Sequence, residues 1–491
     1  MMKPYLLLAA VLLPFAAGLL LYLVRPRGER TLRAWTMTAT VATTVLVWAL
    51  ILFCPGESVE LLRLSNSLTL CLKFDGLGRF FAGIAATLWP ITVLYAFEYM
   101  SHEERRGTFF SFFTMSFGAT MGVAMAGNLF SMYLFYELLT LCTIPLVLHT
   151  LTPKAVRATR TYLIFSMGGA AFAFASMVFL IANGMGGEFA LGGLLKAFPY
   201  GRPHFTYVFY LLGFLGFGVK AAVFPTHVWL PKASVAPTPV TALLHAVAVV
   251  KSGVFAIMRL TYFSYGTELL RGSWAQRTVM CFAIFTLVFG AVKAVRERHF
   301  KRRLAYSTVA NLSYILFGVT MMTEAGLAAG LLHMAFHAEI KILAFFCAGA
   351  VLHSTGRETL RELDGLGKKM PLTLGAFTVS ALALAGVPPF SGFVSKWSLL
   401  AAAAQSGDGW AYAGAGALLC AALLTAVYMF TAVRRMWFPS AEADLSGLDC
   451  VREANWKMTV PMVILAAAIL LTGVFAGPIA DVAEAIAAGL F

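Results

Sequence analysis

The sequence predicts an all-α integral membrane protein with about fourteen transmembrane helices. Of its 491 residues, 60% are hydrophobic and only 12% are charged, whereas a soluble domain carries about 25% charged residues. The mean hydropathy is +0.80. A bilayer core needs about 20 apolar residues per helix, and about fourteen such stretches, separated by short polar breaks, take up nearly the whole chain. We therefore expect no soluble catalytic domain within it.

The predicted spans are 5–24, 34–54, 77–100, 108–126, 128–151, 159–184, 205–230, 237–263, 276–293, 303–322, 326–352, 371–403, 410–437 and 457–487. The first lacks a small-residue cleavage site and runs into a basic segment, so we expect it to be retained rather than cleaved as a signal peptide. Lysine and arginine gather in alternate loops, which places both termini on the non-cytoplasmic side of the cell (inner) membrane. The net charge of +14 therefore reflects topology and does not indicate nucleic-acid binding.

Two predicted spans are long and interrupted by proline, 205–230 at Pro225 and 371–403 at Pro388 and Pro389. Proline removes a backbone donor and clashes with the preceding turn, which predicts two half-helices in each span. A bilayer tolerates irregular backbone only where protein or water satisfies it, and paired broken helices are typical of transporters whose working site lies at the breaks. Ordinary proline kinks are the alternative.

Several ionisable residues lie inside the predicted spans, where each costs about 2.5–3.5 kcal/mol on insertion scales. Each therefore needs a partner, a water-filled cavity or a function. They are Glu137 in 128–151, Lys220 in 205–230, His245 and Lys251 in 237–263, His333, His337 and Lys341 in 326–352, and Lys396 in 371–403.

Glu137 and Lys220 are expected to pair, and so to set the proton affinity of the lysine. Burial favours the neutral amine, whereas a nearby carboxylate favours the ammonium, so a small change in separation would make Lys220 hold or release its proton. His245 is expected to receive the proton that Lys220 releases, because imidazole titrates close to neutral pH. The structural alternatives are a static ion pair that only holds helices together and a histidine that only satisfies hydrogen bonds.

His333, His337 and Lys341 recur every four residues and so form one polar stripe on a helix, which could hold a file of water. The alternative is a stripe packed against helix ends or lipid headgroups. A metal site at the two histidines is disfavoured, because the segment is not H-E-x-x-H and Glu339 points to another face. The 7 cysteines include no C-x-x-C pair, which argues against iron–sulfur, zinc and haem sites. We expect no metal and no cofactor in this chain.

The longest sequence signature runs through 220–231 (KAAVFPTHVWLP), 236–245 (APTPVTALLH) and 250–254 (VKSGV). Further landmarks follow in the same family order at 135–142 (FYELLTLC), 304–307 (LAYS), 337–341 (HAEIK) and 386–396 (GVPPFSGFVSK). Together they resemble the antiporter-like membrane subunits shared by respiratory complex I, membrane-bound hydrogenases and multisubunit Mrp-type Na⁺/H⁺ antiporters. The likeness covers at least 75–400 and is strongest to the D-type subunits of Mrp antiporters.

This resemblance implies two inverted five-helix repeats, broken helices 7 and 12, and a hydrophilic axis at the bilayer midplane. The chain then divides into 1–107 with helices 1–3, 108–263 with helices 4–8 as the first repeat, 264–437 with helices 9–13 as the second repeat, and 438–491 with helix 14. The resemblance also implies proton-relay roles for the same residues: Glu137, Lys220, His245, Lys251, His333, His337, Lys341 and Lys396.

The expected function is that of a non-redox, proton-translocating subunit of a multisubunit energy-converting complex, with Glu137–Lys220 pairing as the switch. Its partners would be other membrane subunits, including homologous antiporter-like ones, and a redox module of the NADH:quinone or hydrogenase type. One alternative is the D-type subunit of a multisubunit Na⁺/H⁺ antiporter without a redox partner. Another is a purely structural membrane subunit.

Three positions depart from the family pattern. Lys232 stands where aspartate is usual, Glu339 replaces an apolar residue, and Thr161 stands where a basic residue is usual. The first leaves open how the loop between helices 7 and 8 is anchored. The other two leave the proton route open.

Overall fold

The computed structural model describes residues 3–54, 56–65, 68–440, 445 and 448–489. Within them, ten helical segments are long and apolar enough to cross a membrane, so the chain is a multi-pass membrane protein as predicted. The helices are α1 (Lys3–Val24), α2 (Glu29–Phe53), α3 (Gly76–Tyr99), α4 (Arg106–Ala124), α5 (Leu129–Val147), α6 (Pro153–Ala182), α7 (Pro203–Gly218), α8 (Trp229–Ala233), α9 (Thr238–Ala246), α10 (Val249–Met258), α11 (Thr267–Leu270), α12 (Trp274–Arg296), α13 (Phe300–Thr320), α14 (Glu324–Thr355), α15 (Pro371–Ala385), α16 (Ser391–Gln405), α17 (Gly409–Trp437), α18 (Trp456–Val474) and α19 (Gly477–Ala487).

Both spans that contain the predicted proline breaks are broken. In the first, α7 ends at Gly218 and the next helical turn, Thr226–Val228, follows Pro225, so Lys220 lies in the irregular stretch rather than in a helix. The Trp229 indole Nε1 donates to the Val219 carbonyl at 2.7 Å, which satisfies one of the backbone groups freed by the break. In the second, α15 ends at Ala385 and α16 begins at Ser391.

The span predicted at 237–263 contains a break that the sequence did not signal. It consists of α9, α10 and a π-helical segment, Arg259–Tyr265. The interruption falls at Val247 and Ala248, where neither proline nor glycine marks it. The last predicted span, 457–487, is likewise two helices, α18 and α19.

The chain is mainly rather than wholly helical, because a short antiparallel hairpin joins α2 to α3. Its strands are β1 (Ser58–Ser65) and β2 (Leu68–Lys73), and Val59 pairs with Leu72 in the ladder. Leu72 also forms a bridge to Ala126 after α4. The hairpin therefore packs over one end of the bundle and ties the connection between α2 and α3 to the end of α4.

The burial of the helices places the polar spans in the middle of the bundle. Thr238–Tyr265 is fully enclosed by protein, whereas only 33% of the most apolar stretch is buried in each of α1, α2, α17 and α18. The long helix α14 lies at the centre, where α3, α9, α13, α15, α16, α18 and α19 pack around it. The outer helices expose Leu, Val and Phe side chains, as expected for a surface that faces lipid. The predicted relay residues on α10, α14 and α16 are therefore shielded from lipid, namely Lys251, His333, His337, Lys341 and Lys396.

Candidate functional site

Lys220 is enclosed in the break after α7, where its side chain is 1% exposed. Its Nζ donates a hydrogen bond to the Tyr136 carbonyl and lies 3.4 Å from the centre of the Tyr136 ring. A carbonyl oxygen and an aromatic face both favour the charged ammonium over the neutral amine. Tyr136 is thus the principal partner of Lys220, and sequence reasoning, which selected ionisable residues only, did not identify it.

The Glu137 carboxylate lies beside Lys220 but does not hydrogen-bond it. The Oε1–Nζ distance is 3.8 Å, and Glu137 Oε1 has no hydrogen-bond partner in the described part of the chain. Charge-assisted N–H···O bonds are about 2.7–2.9 Å long. The predicted pair is therefore in place but loose.

The structure joins α10, α14 and α16 through three of the predicted residues. Lys251 Nζ on α10 lies 2.9 Å from His337 Nδ1 on α14. The His333 and His337 rings are 5.8 Å apart between centroids, and His333 Nδ1 lies 2.9 Å from Ser395 Oγ on α16. The histidine stripe predicted on one face of α14 therefore connects a lysine on one side of that helix with α16 on the other.

The two remaining lysines are held by neutral groups. Lys341 Nζ donates to Ser307 Oγ at 2.7 Å, and Ser307 Oγ lies 2.5 Å from the Tyr428 hydroxyl. Lys396 Nζ donates to the Leu384 carbonyl at the end of α15 and lies 5.6 Å from the centre of the Tyr314 ring. The side chain of Lys396 thus reaches from α16 back to the second break, and like Lys220 it has a carbonyl and an aromatic ring as partners.

His245 makes no side-chain hydrogen bond in the described part of the structure. Both of its ring nitrogens are buried without a partner, and its ring lies 4.8 Å from that of Phe345. The predicted link from Lys220 through His245 to Lys251 is therefore not formed by direct contacts. Among the described residues, no three His, Cys, Asp or Glu side chains come together as a metal site.

Comparison with known proteins shows the family of this chain. A family model described as "NADH:quinone oxidoreductase/Mrp antiporter, TM" matches residues 126–425. The chain belongs to this family. The resemblance predicted from the sequence motifs is thereby confirmed, and the match contains every ionisable residue of the predicted relay.

The relatives of this antiporter-like chain include subunits of NADH-quinone oxidoreductases and subunits of cation/proton antiporters. It is 32% identical to NADH-quinone oxidoreductase subunit N of Desulforudis audaxviator, over 80% of this chain and 79% of that protein. It is 31% identical to the A/B component of a probable K⁺/H⁺ antiporter of Rhizobium meliloti, over 81% of this chain but only 40% of that protein. The chain therefore spans most of the first relative and less than half of the second.

Solved structures share the fold over nearly the whole chain. A chain of the Mrp complex from Dietzia sp. matches with a TM-score of 0.87 and 21% identity, covering 100% of this chain and 98% of that one. A chain of the membrane-bound sulfane sulfur reductase, an archaeal respiratory membrane complex, matches with a TM-score of 0.86 and 24% identity, covering 98% and 97%. A chain of respiratory complex I from Thermus thermophilus matches with a TM-score of 0.82 and 23% identity, covering 99% and 100%.

A buried ion pair of this antiporter-family chain escaped the sequence analysis. Arg259 donates to both carboxylate oxygens of Asp75, at 2.5 and 2.6 Å, and its guanidinium is 4.8–5.0 Å from the ring centres of Phe189, Phe255 and Phe263. Asp75 also caps α3 by accepting from the Gly78 amide at 2.9 Å. The two residues lie at span ends that are far apart in sequence, so no local pattern could join them.

The departures from the family pattern have different surroundings. Lys232 is exposed on α8. Glu339 is buried on α14, where its Oε1 accepts from Ser391 Oγ at 2.8 Å and from Thr472 Oγ1 at 2.6 Å. Glu339 therefore joins α14 to the start of α16 and to the end of α18. Neither residue contacts the lysines of the relay through a hydrogen bond.

We expect Glu339→Leu to lower the free energy of unfolding by about 1–3 kcal/mol, because it leaves the Ser391 hydroxyl buried without an acceptor, whereas the Thr472 hydroxyl keeps the Ala468 carbonyl as acceptor at 2.8 Å. Glu339→Gln keeps an acceptor oxygen and should have a smaller effect. Thermal unfolding of the two variants in detergent measures the difference. A leucine variant as stable as the wild type would show that the two hydrogen bonds do not contribute.

Gly253 on α10 allows the Lys220 loop to approach, because a Cβ at this position would overlap the Ala221 nitrogen and the Lys220 carbonyl carbon. We expect Gly253→Ala to displace the loop and to destabilise the protein by about 1–3 kcal/mol, as overpacking does. Ion transport should fall with it. The control is Gly416→Ala on α17, where a Cβ meets open space, and equal behaviour of the two variants would contradict this account.

Proposed function

We propose that this chain is a proton-translocating membrane subunit of a multisubunit energy-converting complex, coupled to a redox module in other subunits. Membership of the NADH:quinone oxidoreductase/Mrp antiporter family supports this. The observation that carries it is the enclosed Lys220 in the break after α7, at 3.8 Å from Glu137. The proposed relay comprises Glu137, Lys220, His245, Lys251, His333, His337, Lys341 and Lys396.

In this proposal the Glu137–Lys220 separation is the switch. When the carboxylate approaches Nζ, a charge-assisted hydrogen bond forms and Lys220 keeps its proton. When Glu137 withdraws, the buried ammonium loses its counter-charge and passes the proton on. Moving one charge against 100 mV costs about 2.3 kcal/mol, which corresponds to a change in proton affinity of roughly 50-fold. Loss or gain of one such contact is sufficient for that change.

The next steps pass through the central stripe. The Lys251–His337 contact at 2.9 Å and the stacked His333 and His337 rings support transfer along α14 towards Ser395 and Lys396 on α16. Water must bridge Lys220, His245 and Lys251, since the His245 nitrogens have no side-chain partner among the described residues. Because imidazole has both a donor and an acceptor nitrogen, each histidine can receive a proton on one side and release it on the other.

We further propose fourteen crossings, with 108–263 and 264–437 as inverted repeats and 1–107 and 438–491 as flanking helices. The two broken spans support this, since α7 with α8 and α15 with α16 would each be the fourth span of a repeat. The alternation of basic loops supports placing both termini on the non-cytoplasmic side of the cell membrane. Other membrane subunits, homologous ones included, would cover the apolar outer helices.

The complex purified with its native partners tests the redox assignment. We expect flavin, iron–sulfur or nickel in the particle, and acidification or alkalinisation of vesicles when the electron donor is added. The competing function is Na⁺/H⁺ exchange in an Mrp-type antiporter, favoured by the Mrp chain that matches with a TM-score of 0.87. A particle of cofactor-free membrane subunits that exchanges Na⁺ for H⁺ would replace the redox-coupled proposal with this one.

A further inference from the structure

The residues of α14 that follow Lys341 in steps of four lead through Phe345 and Gly349 to His353 in its last turn. Each step of four turns the position by about 40°, because a helix has 3.6 residues per turn, so this row winds around α14 and His353 faces about 120° away from Lys341. His353 therefore lies at the end of the bundle where α15 begins, on another side of α14 from the histidine stripe.

His353 belongs to a titratable cluster at that end. Its ring centre is 5.7 Å from that of His102 and 5.6 Å from that of Tyr99. His102 is exposed, His353 is half-buried, and the carboxylates of Glu98 and Glu103 act on His353 electrostatically. Glu98 is itself paired with Lys457 of α18 at 3.1 Å. One imidazole thus faces water and the next faces inward.

Hydroxyl groups lie between His353 and the interior of the bundle. The Tyr99 hydroxyl faces Thr238 at the start of α9, where Thr238 Oγ1 is buried without a hydrogen-bond partner in the described structure. The rings of Tyr95 and Tyr99 stack at 6.1 Å. A Cβ on Gly349 would overlap both the Thr238 side chain and the Tyr95 hydroxyl. The glycine therefore lets α3, α9 and α14 meet at one point, and the side chains that meet there end in hydroxyls.

His245 lies further along the same face of α9 as Thr238, seven positions on and about 10 Å away along the axis. No side-chain hydrogen bond joins the two among the described residues, so water would have to connect them. Both His245 nitrogens are buried without a side-chain partner in the described structure. The charges that act on this ring come from Lys301 and Lys341. An unpartnered imidazole between a hydroxyl and a buried ammonium is available to relay a proton through water.

We propose that His102 and His353 form a proton-exchange mouth, through which the central relay takes protons from, or gives them to, the water at the α15 end of the bundle. The inference rests on the proposed function and adds its site of exchange with bulk water. A proton bound by His102 passes to His353, and Tyr99, Thr238, intervening water and His245 carry it inward. Tyr99 and Thr238 each accept one proton as they donate their own and so stay neutral, whereas each imidazole carries the positive charge while it holds the proton.

The test is made on the intact complex in vesicles, with the pH varied separately on each side of the membrane. We expect His353→Gln to slow proton transport about tenfold and to remove part of its pH dependence on the mouth side only. Tyr99→Phe, which removes a single oxygen, should slow transport to a similar degree without changing the pH profile. His149→Gln is the matched control, because His149 lies at the same end and also near Glu103, but packs on Phe109 away from α14.

If His353→Gln prevents assembly, Tyr99→Phe and Thr238→Val decide the matter, because both preserve the packing shape. Wild-type rates in all assembled variants, with an unchanged pH profile, would overturn the mouth. Equal slowing by His149→Gln would overturn it as well. Lys220→Met separates the two proposals. If Lys220→Met is inactive while the His353, Tyr99 and Thr238 variants transport normally, the proton-exchange mouth is wrong and the relay stands. If Lys220→Met is fully active, the proposed function itself is wrong.

Discussion

Lys220→Met abolishes proton transport, with an expected loss of about 100-fold or more, while the complex still assembles. Methionine fills most of the volume of the lysine stem and removes the only group in the first break that can carry a proton. The Tyr136 carbonyl and ring, which hold Nζ, then have no ammonium to stabilise. Proton transport by the reconstituted complex measures the loss, and native gel mobility reports assembly.

The matched control is Lys232→Met, because Lys232 is exposed and lies on α8, directly after the same break. It should transport at the wild-type rate. Glu137→Gln should be slower than the wild type but still assembled, since the pair is loose and Tyr136 continues to hold Lys220. Unimpaired transport in an assembled Lys220→Met complex would refute the relay and favour a purely structural role for this chain.

Asp75→Asn is expected to lower the free energy of unfolding by about 3–5 kcal/mol, because it leaves Arg259 charged and buried without its partner. Asparagine can still cap α3 at the Gly78 amide, so the variant isolates the ion pair from the helix cap. Thermal unfolding in detergent measures the effect. The control is Glu60→Gln, which breaks an exposed pair with Arg63 in β1 and should not change the transition measurably.

The same ion pair predicts a pH dependence. Burial alone would raise the pKa of Asp75, but the charge of Arg259 and the hydrogen bonds from Arg259 and Gly78 hold it below its usual value. Since the folded pKa is lower than the unfolded one of about 3.9, the contribution is complete above that pH and is lost as the pH falls through the folded value. Wild type and Asp75→Asn should therefore differ most in stability near neutral pH and converge in strong acid. A constant difference at all pH values would contradict the assignment.

Hydropathy and the two proline positions predicted where helices cross and where two of them break, because a bilayer leaves the backbone few alternatives. They did not predict the third interruption at Val247 and Ala248 or the β1–β2 hairpin. The Val247 and Ala248 amides both donate to the Leu243 carbonyl of α9, so the chain satisfies this irregular backbone locally, and neither proline nor glycine marks it. The two strands of the hairpin are short and are flanked by polar residues, so a hydropathy pattern dominated by long apolar stretches does not reveal them.

The sequence by itself determined that ionisable residues are buried in this chain and which family carries them, since each such residue is too costly in a membrane to occur without a reason. Only the tertiary structure decided what each one contacts. It placed Lys251 against His337, Lys341 against Ser307, and Lys220 on Tyr136 rather than tightly on Glu137. These partners lie on helices that are distant in sequence, and many of them are carbonyls, hydroxyls and aromatic rings. Such groups are frequent in every membrane helix, so only their positions in space distinguish them.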